Sequence, residues 1–172
     1  MSLKIEASRD RIGSTTSSSS SPRLSKLNVS KMGYRVVLIG PRNVGKTSIV
    51  SQFLYDQFSD KYEETVEEMY RGEFDLDGEE FAINIQDTGG SYIQDFPAMM
   101  EVSLAAADAV ILVFSLNDPE TFQDAKRLWV NTLQIKSGGL AVLVVGNKLD
   151  LGSQLTEEDQ CSIQTDWGCT FL

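Results

Sequence analysis

Residues Gly40-Pro41-Arg42-Asn43-Val44-Gly45-Lys46-Thr47-Ser48 bring together the groups needed to hold a polyphosphate. The spacing is G-x-x-x-x-G-K-T, in which glycines let the chain curl until backbone N–H groups face an anion. Gly40, Asn43, Val44, Gly45, Lys46, Thr47 and Ser48 are the expected phosphate-contacting positions. The Lys46 ammonium can reach the outer phosphates, and the Thr47 hydroxyl is placed to ligate Mg²⁺. A helix opening at Lys46 adds partial positive charge at the same spot.

Such a loop admits ATP and GTP alike, and Gly146-Asn147-Lys148-Leu149-Asp150 discriminates between them. A carboxylate at Asp150 can accept two hydrogen bonds, from guanine N1–H and from its exocyclic amine. Adenine offers neither donor, and a partly buried ionised acceptor left unsatisfied costs ~1–3 kcal/mol or more. N-K-x-D is weak by itself; downstream of a phosphate loop and directly after an apolar strand it is strong. A third group is Asp87-Thr88-Gly89-Gly90, where an acid can support the Mg²⁺ shell and a glycine lets a backbone N–H approach the terminal phosphate. Thr65, in an irregular polar segment between Tyr62 and Glu67, lies where a loop could close over the same phosphate and metal.

Composition narrows the chemistry further. There is no histidine among 172 residues, which excludes Ser-His catalysis and His-ligated zinc. Two cysteines, Cys161 and Cys169, provide neither a disulfide framework nor a metal-ligand set, and a reducing address is expected. Residues 1–32 carry six Lys/Arg against two acids, whereas the remainder is strongly acidic and the whole chain has a net charge of −10. Nucleic acid is set aside as a partner, because phosphate neutralisation needs clustered Lys/Arg. No apolar run is long enough to span a membrane as a helix, and no secretory signal core or myristoylation start is present.

The elements that must position these groups alternate between strand and helix. Residues 1–32, with the run Ser17 to Ser21, read as a disordered basic leader, and 33–172 as one domain. Tyr34–Ile39 is predicted as the first buried strand and Lys46–Leu54 as the first helix. Phe74 to Phe81 reads as a hairpin turning at Asp77-Gly78, with Ala82 to Gln86 continuing its return strand. Met99 to Ala107 is predicted helical and Ala109 to Phe114 a strand buried on both faces. Asn117 or Asp118, Pro119 and Glu120 mark a helix start, after which Phe122, Ala125, Trp129 and Leu133 form a core face. Leu140 to Val145 is another buried strand, and Thr156-Glu157-Glu158-Asp159 opens a last helix. The predicted fold class is α/β: a mostly parallel, doubly wound sheet with one antiparallel hairpin pair.

On these motifs and their mutual spacing, residues 34–172 resemble a Ras-type small GTPase. The resemblance implies that Lys46 contacts the β- and γ-phosphates and supplies charge in the transition state. It also implies that Thr47 and Thr65 ligate Mg²⁺ and that Asp87 supports the ion through water. Gly90 would sense the γ-phosphate, Phe58 would pack on the guanine ring, and Asn147, Lys148 and Asp150 would frame the base. Residues near 59–70 would be the first switch and 88–100 the second. Implied partners are effector proteins, an exchange factor and a GTPase-activating protein; the implied ligands are GTP and GDP with Mg²⁺.

The sequence departs from that pattern at three places. Ser91 stands where Ras has the glutamine that positions the attacking water, so no catalytic residue is assigned. Arg42 stands where Ras has a glycine, as in the Rheb branch, and Phe96-Pro97-Ala98-Met99 is similar to the Dexras/Rhes branch. Trp167 to Leu172 resembles the start of a final strand, so the last strand is expected to be partial, the last helix absent and the domain C-terminally incomplete. Cys169-Thr170-Phe171-Leu172 has the form of a prenylation box, read as coincidental because the flanking sequence is acidic; membrane association is therefore unsupported. The expectation is a cytoplasmic guanine-nucleotide switch with slow hydrolysis. Its rivals are an interaction module that never turns nucleotide over, a non-functional fragment of such a protein, and, disfavoured by Asp150, an ATP-using enzyme.

Overall fold

The computed structural model describes residues 6–10, 32–59, 61–136 and 138–167. Strands β1 (Glu6–Asp10), β2 (Met32–Ile39), β3 (Glu67–Leu76), β4 (Glu79–Thr88), β5 (Ala109–Ser115) and β6 (Ala141–Asn147) form a single sheet in the order β1-β3-β4-β2-β5-β6. Strands β4, β2, β5 and β6 run parallel, while β3 is antiparallel to both of its neighbours. The chain passes from β2 to one side of the sheet for β4 and to the other for β5. The carboxyl end of β2 is therefore a topological switch point, where ligands of open α/β sheets bind.

The two faces of β2 show how the apolar pattern builds two layers. Val37 and Ile39 point to a cluster with Val110, Leu112 and Phe114 of β5, covered by α3 (Pro97–Ala105) and α4 (Pro119–Ile135). Leu38 points the other way, to Tyr70, Phe74 and Ile85 and to Val50 and Leu54 of α1 (Lys46–Tyr55). Alternation with period two is what a strand buried on both faces requires. Phe114 and Phe122 are fully buried with ring centroids 5.1 Å apart, so this pair adds aromatic packing to simple area burial.

Local chemistry sets the element ends. Asp77 and Gly78 both have positive φ, 54° and 90°, the geometry of a two-residue type I′ turn. Asp118 caps α4 by accepting the Glu120 N–H, and Pro119 occupies a first-turn position. Thr156 and Asp159 cap α5 (Glu157–Trp167) reciprocally, each side chain accepting the other's backbone N–H.

Three sequence expectations need correction. Within the leader expected to lack structure, Glu6–Asp10 pairs with β3, Glu6 opposite Glu73 and Asp10 opposite Met69. Main-chain groups along a sheet edge accept any extended segment, so low apolar content does not prevent pairing. Leu133 is 45% exposed, lying off the face of α4 that Leu128, Trp129, Thr132 and Ile135 turn to the core on either side of it. Trp167 ends α5 rather than starting a strand, because the acidic cap at Thr156–Asp159 propagates a helix through it. Residues 168–172, which hold the expected partial strand and the prenylation-like box, lie outside the described residues.

One close approach joins the fold to the site. Gly40 directly follows β2 with φ 152°, and a Cβ built there would lie 2.1 Å from the carbonyl oxygen of Val113 in β5. The obstacle is buried main chain, which cannot rotate aside. Gly40→Ala is expected to destabilise the protein by about 3 kcal/mol or more, as backbone strain adds to overpacking. Urea denaturation checks this, and an unchanged midpoint would contradict the packing described.

Candidate functional site

The loops after β2, β4 and β6, and the segment entering β3, converge at the carboxyl edge of the sheet. The loop after β2 is held by Asn43 and Gly45, both with positive φ, before α1 starts at Lys46. Val44 is fully buried and anchors the loop to the core. The backbone N–H groups of Lys46, Thr47 and Ser48 lie in the first turn of α1, where a helix has no internal acceptors for them.

Lys46 is only 7% exposed and donates to the carbonyls of Gly40 and Pro41, both at 2.8 Å. Burial pulls its pKa down to about 8, an effect that the negative charge of Asp87 only partly offsets. The cation therefore sits in the turn of the loop, where an outer phosphate could replace the two carbonyls as its partner.

Thr47, Thr65 and Asp87 meet beside it. The two threonine hydroxyls are 2.9 Å apart, and Thr47 donates to Asp87 Oδ2 at 2.5 Å. Asp87 is fully buried at the end of β4. Neighbouring ligands of an octahedral Mg²⁺, each about 2.1 Å from the ion, stand about 3 Å apart. The all-oxygen set and its spacing thus suit Mg²⁺, with phosphate and water completing the shell. Among the described residues no group of three His, Cys, Asp or Glu is placed to hold a metal ion.

The segment 147–150 touches the loop after β2 directly. Asn147, the last residue of β6, donates from Nδ2 to the Val44 carbonyl at 2.8 Å. Lys148, with φ 61°, donates to the Asn43 carbonyl at 2.5 Å. The sequence reading gives both to the base; the structure shows that each also ties the two loops together. Asp150 follows in a 3₁₀ turn, Leu149–Leu151, and is exposed, as ligand access demands. Phe58 is 75% exposed and stands outside this hydrogen-bonded cluster.

Gly89 and Gly90 lie where chain segments cross. The Gly89 N–H donates to the Val66 carbonyl at 2.9 Å, bringing the loop after β4 onto the segment that carries Thr65. A Cβ at Gly90 would lie 2.4 Å from the backbone nitrogen of Arg42. Arg42 then reaches across the front of the site, donating to Ser91 Oγ at 3.0 Å and pairing with Glu64 at 3.2 Å. Ser91 at the glutamine position is thus engaged by the residue at the other departure from the family pattern. Sequence reasoning missed this link, and also Glu67, Gln86 and Tyr92, which are hydrogen-bonded together beneath the same loops. None of them has a local signature, since each contact joins residues distant in the chain.

Comparison with known proteins agrees with this geometry. The Ras family model matches residues 35–172. The human GTP-binding protein Rhes is 36% identical over 155 residues, covering 83% of this chain and 58% of that protein. Mouse Rhes is 40% identical over 134 residues, covering 72% of this chain and 50% of its own length. The chain spans about half the length of the curated relatives it matches. The loop after β2, the cluster of Thr47, Thr65 and Asp87 and the segment 147–150 converge in one place, and with the family model covering almost the whole domain, this chain belongs to the Ras family.

Proposed function

We propose that this chain is a guanine-nucleotide-binding molecular switch of the Ras type, cytoplasmic, with slow intrinsic conversion of GTP to GDP. The observation that carries the reading is the convergence of Thr47, Thr65 and Asp87 beside a buried Lys46. In this reading the phosphate loop and Lys46 hold the β- and γ-phosphates, and Asp150 selects guanine. Asn147 and Lys148 keep the base-reading loop in register with the phosphate loop. When bound, Mg²⁺ would be held by Thr47 and Thr65, with Asp87 supporting it, and would neutralise phosphate charge. Output is binding: segment 59–70, ordered by the γ-phosphate, presents a surface to effector proteins, and an exchange factor and an activating protein would act on the same loops.

Slow turnover is the reading that Ser91 and Arg42 support. A serine is too short to hold an attacking water as a glutamine does, and its hydroxyl already accepts from Arg42. The same contact favours a second reading, an interaction module that binds nucleotide without turnover, because the Arg42 guanidinium stands where an external arginine would have to enter.

Three measurements test these readings. Lys46 is half neutral near pH 8 without ligand, and a bound polyphosphate favours its charged form. Affinity for GTP is therefore expected to be highest below about pH 8 and to fall as pH rises through it. Lys46→Ala should bind about 10²-fold more weakly at neutral pH and lose this dependence, as read by titration calorimetry. Asp150→Asn should weaken GTP binding by about tenfold or more and shift preference toward xanthine nucleotides; retained guanine preference would remove Asp150 from base recognition. Ser91→Gln should raise single-turnover hydrolysis by about tenfold if water positioning is the missing part. An unchanged rate places the block at Arg42 and favours the non-hydrolysing module.

A further inference from the structure

Two side-chain contacts hold the segment carrying Thr65, one to Arg42 in the loop after β2 and one to Tyr92 beyond β4, and they differ in exposure. The Arg42–Glu64 pair has side chains 59% and 58% exposed, so water and salt screen it heavily. The other contact lies inside. Tyr92, 3% exposed at the start of α2 (Tyr92–Asp95), donates its hydroxyl to Glu67 Oε2 at 3.0 Å. The other oxygen of the same carboxylate accepts from Gln86 Nε2 at 2.6 Å, and that nitrogen also donates to Ser103 of α3 at 2.8 Å. Gln86 is itself 5% exposed. Burial, and then the bond and charge of Glu67, push the Tyr92 pKa up to about 12, so the phenol stays a donor at any physiological pH. Glu67 lies two residues after Thr65, and Tyr92 directly follows Ser91.

We propose that Tyr92 is a positioning residue whose hydroxyl, acting through Glu67, raises the fraction of the protein in which the segment carrying Thr65 already stands in its ligating place, so that the γ-phosphate has less of it left to order. A hydrogen bond from a buried phenol to a half-buried carboxylate is among the stronger neutral-donor contacts, and the Gln86 and Ser103 links leave Glu67 little freedom to swing away. The segment's neighbouring bond, Gly89 N–H to the Val66 carbonyl, is kept in register by the same clasp. The consequence is selective. A triphosphate needs the closed segment and gains from having it already populated, since apparent affinity scales with the competent fraction. A diphosphate, which makes no γ-phosphate contact, gains little. Tyr92 thus biases the site toward the triphosphate, a property that rests on the nucleotide-binding reading above.

Tyr92→Phe removes the hydroxyl and keeps the buried ring. With Mg²⁺ present, binding of a non-hydrolysable GTP analogue should weaken about tenfold while GDP binding changes less than about twofold. In nucleotide-free protein, amide exchange across residues 63–68 should be at least about fivefold faster in the variant. Equal weakening for both nucleotides, or exchange unchanged by the substitution, would overturn the proposal and leave Tyr92 a packing residue. If the unmodified chain binds neither nucleotide, the switch reading falls, and the exchange comparison still decides whether the clasp exists.

Discussion

A buried cation sets the terms for the rest of the site. Lys46 is an ammonium placed where burial opposes its charge, and the surroundings must offer oxygen atoms to keep it there. The carbonyls of Gly40 and Pro41 do so, and they can reach the ammonium only because the chain doubles back round it. That curl needs the left-handed backbone of Asn43 and Gly45, and a strand end at Gly40 that nearly touches β5. The loop, the cation and the sheet spacing are thus one constraint. A polyphosphate would replace two neutral acceptors with a multiply charged one, in surroundings where charge-assisted bonds are strongest.

From that centre the loops are stitched to one another more than to the core. Asn147 and Lys148 donate to phosphate-loop carbonyls, Gly89 donates to Val66, and Arg42 spans Ser91 and Glu64. Each bond satisfies a polar group that a loop would otherwise expose, and each makes the position of one loop depend on another. On the proposed function, base recognition, phosphate binding and metal ligation would therefore be coupled mechanically as well as through the ligand, and a substitution at Asn147 or Lys148 would be felt at the phosphates.

Most of the fold was legible because its signals are local. Asp77-Gly78 turns as its residue types demand, Asp118-Pro119 starts α4, and the apolar runs at Val36–Ile39 and Ala109–Phe114 are the buried strands. The phosphate loop was legible for the same reason, since spacing alone fixes where its groups fall. What escaped was set by tertiary context. The pairing of Glu6–Asp10 depends on an open edge of β3, not on its own composition. The Arg42–Ser91 and Tyr92–Glu67 contacts join residues 49 and 25 positions apart, so no window of sequence contains them.

The departures at Ser91 and Arg42 are best understood as one. Had Ser91 stood alone, the space beside it would be open to water or to an incoming side chain. Arg42 occupies that space, donates to the serine and reaches on to Glu64, so the front of the site is closed by the chain's own cation. The pair is exposed and individually weak, which makes it a latch that a partner could open rather than a permanent seal. The deeper Tyr92–Glu67 contact is not exposed in this way, and it would keep the loop in place while the latch opened. On the proposed function, a site arranged so would separate two properties: how firmly the γ-phosphate loop is held, and how readily its contents are hydrolysed. The first would be set beneath the loop by the half-buried Glu67 carboxylate, the second in front of it by a solvent-screened guanidinium.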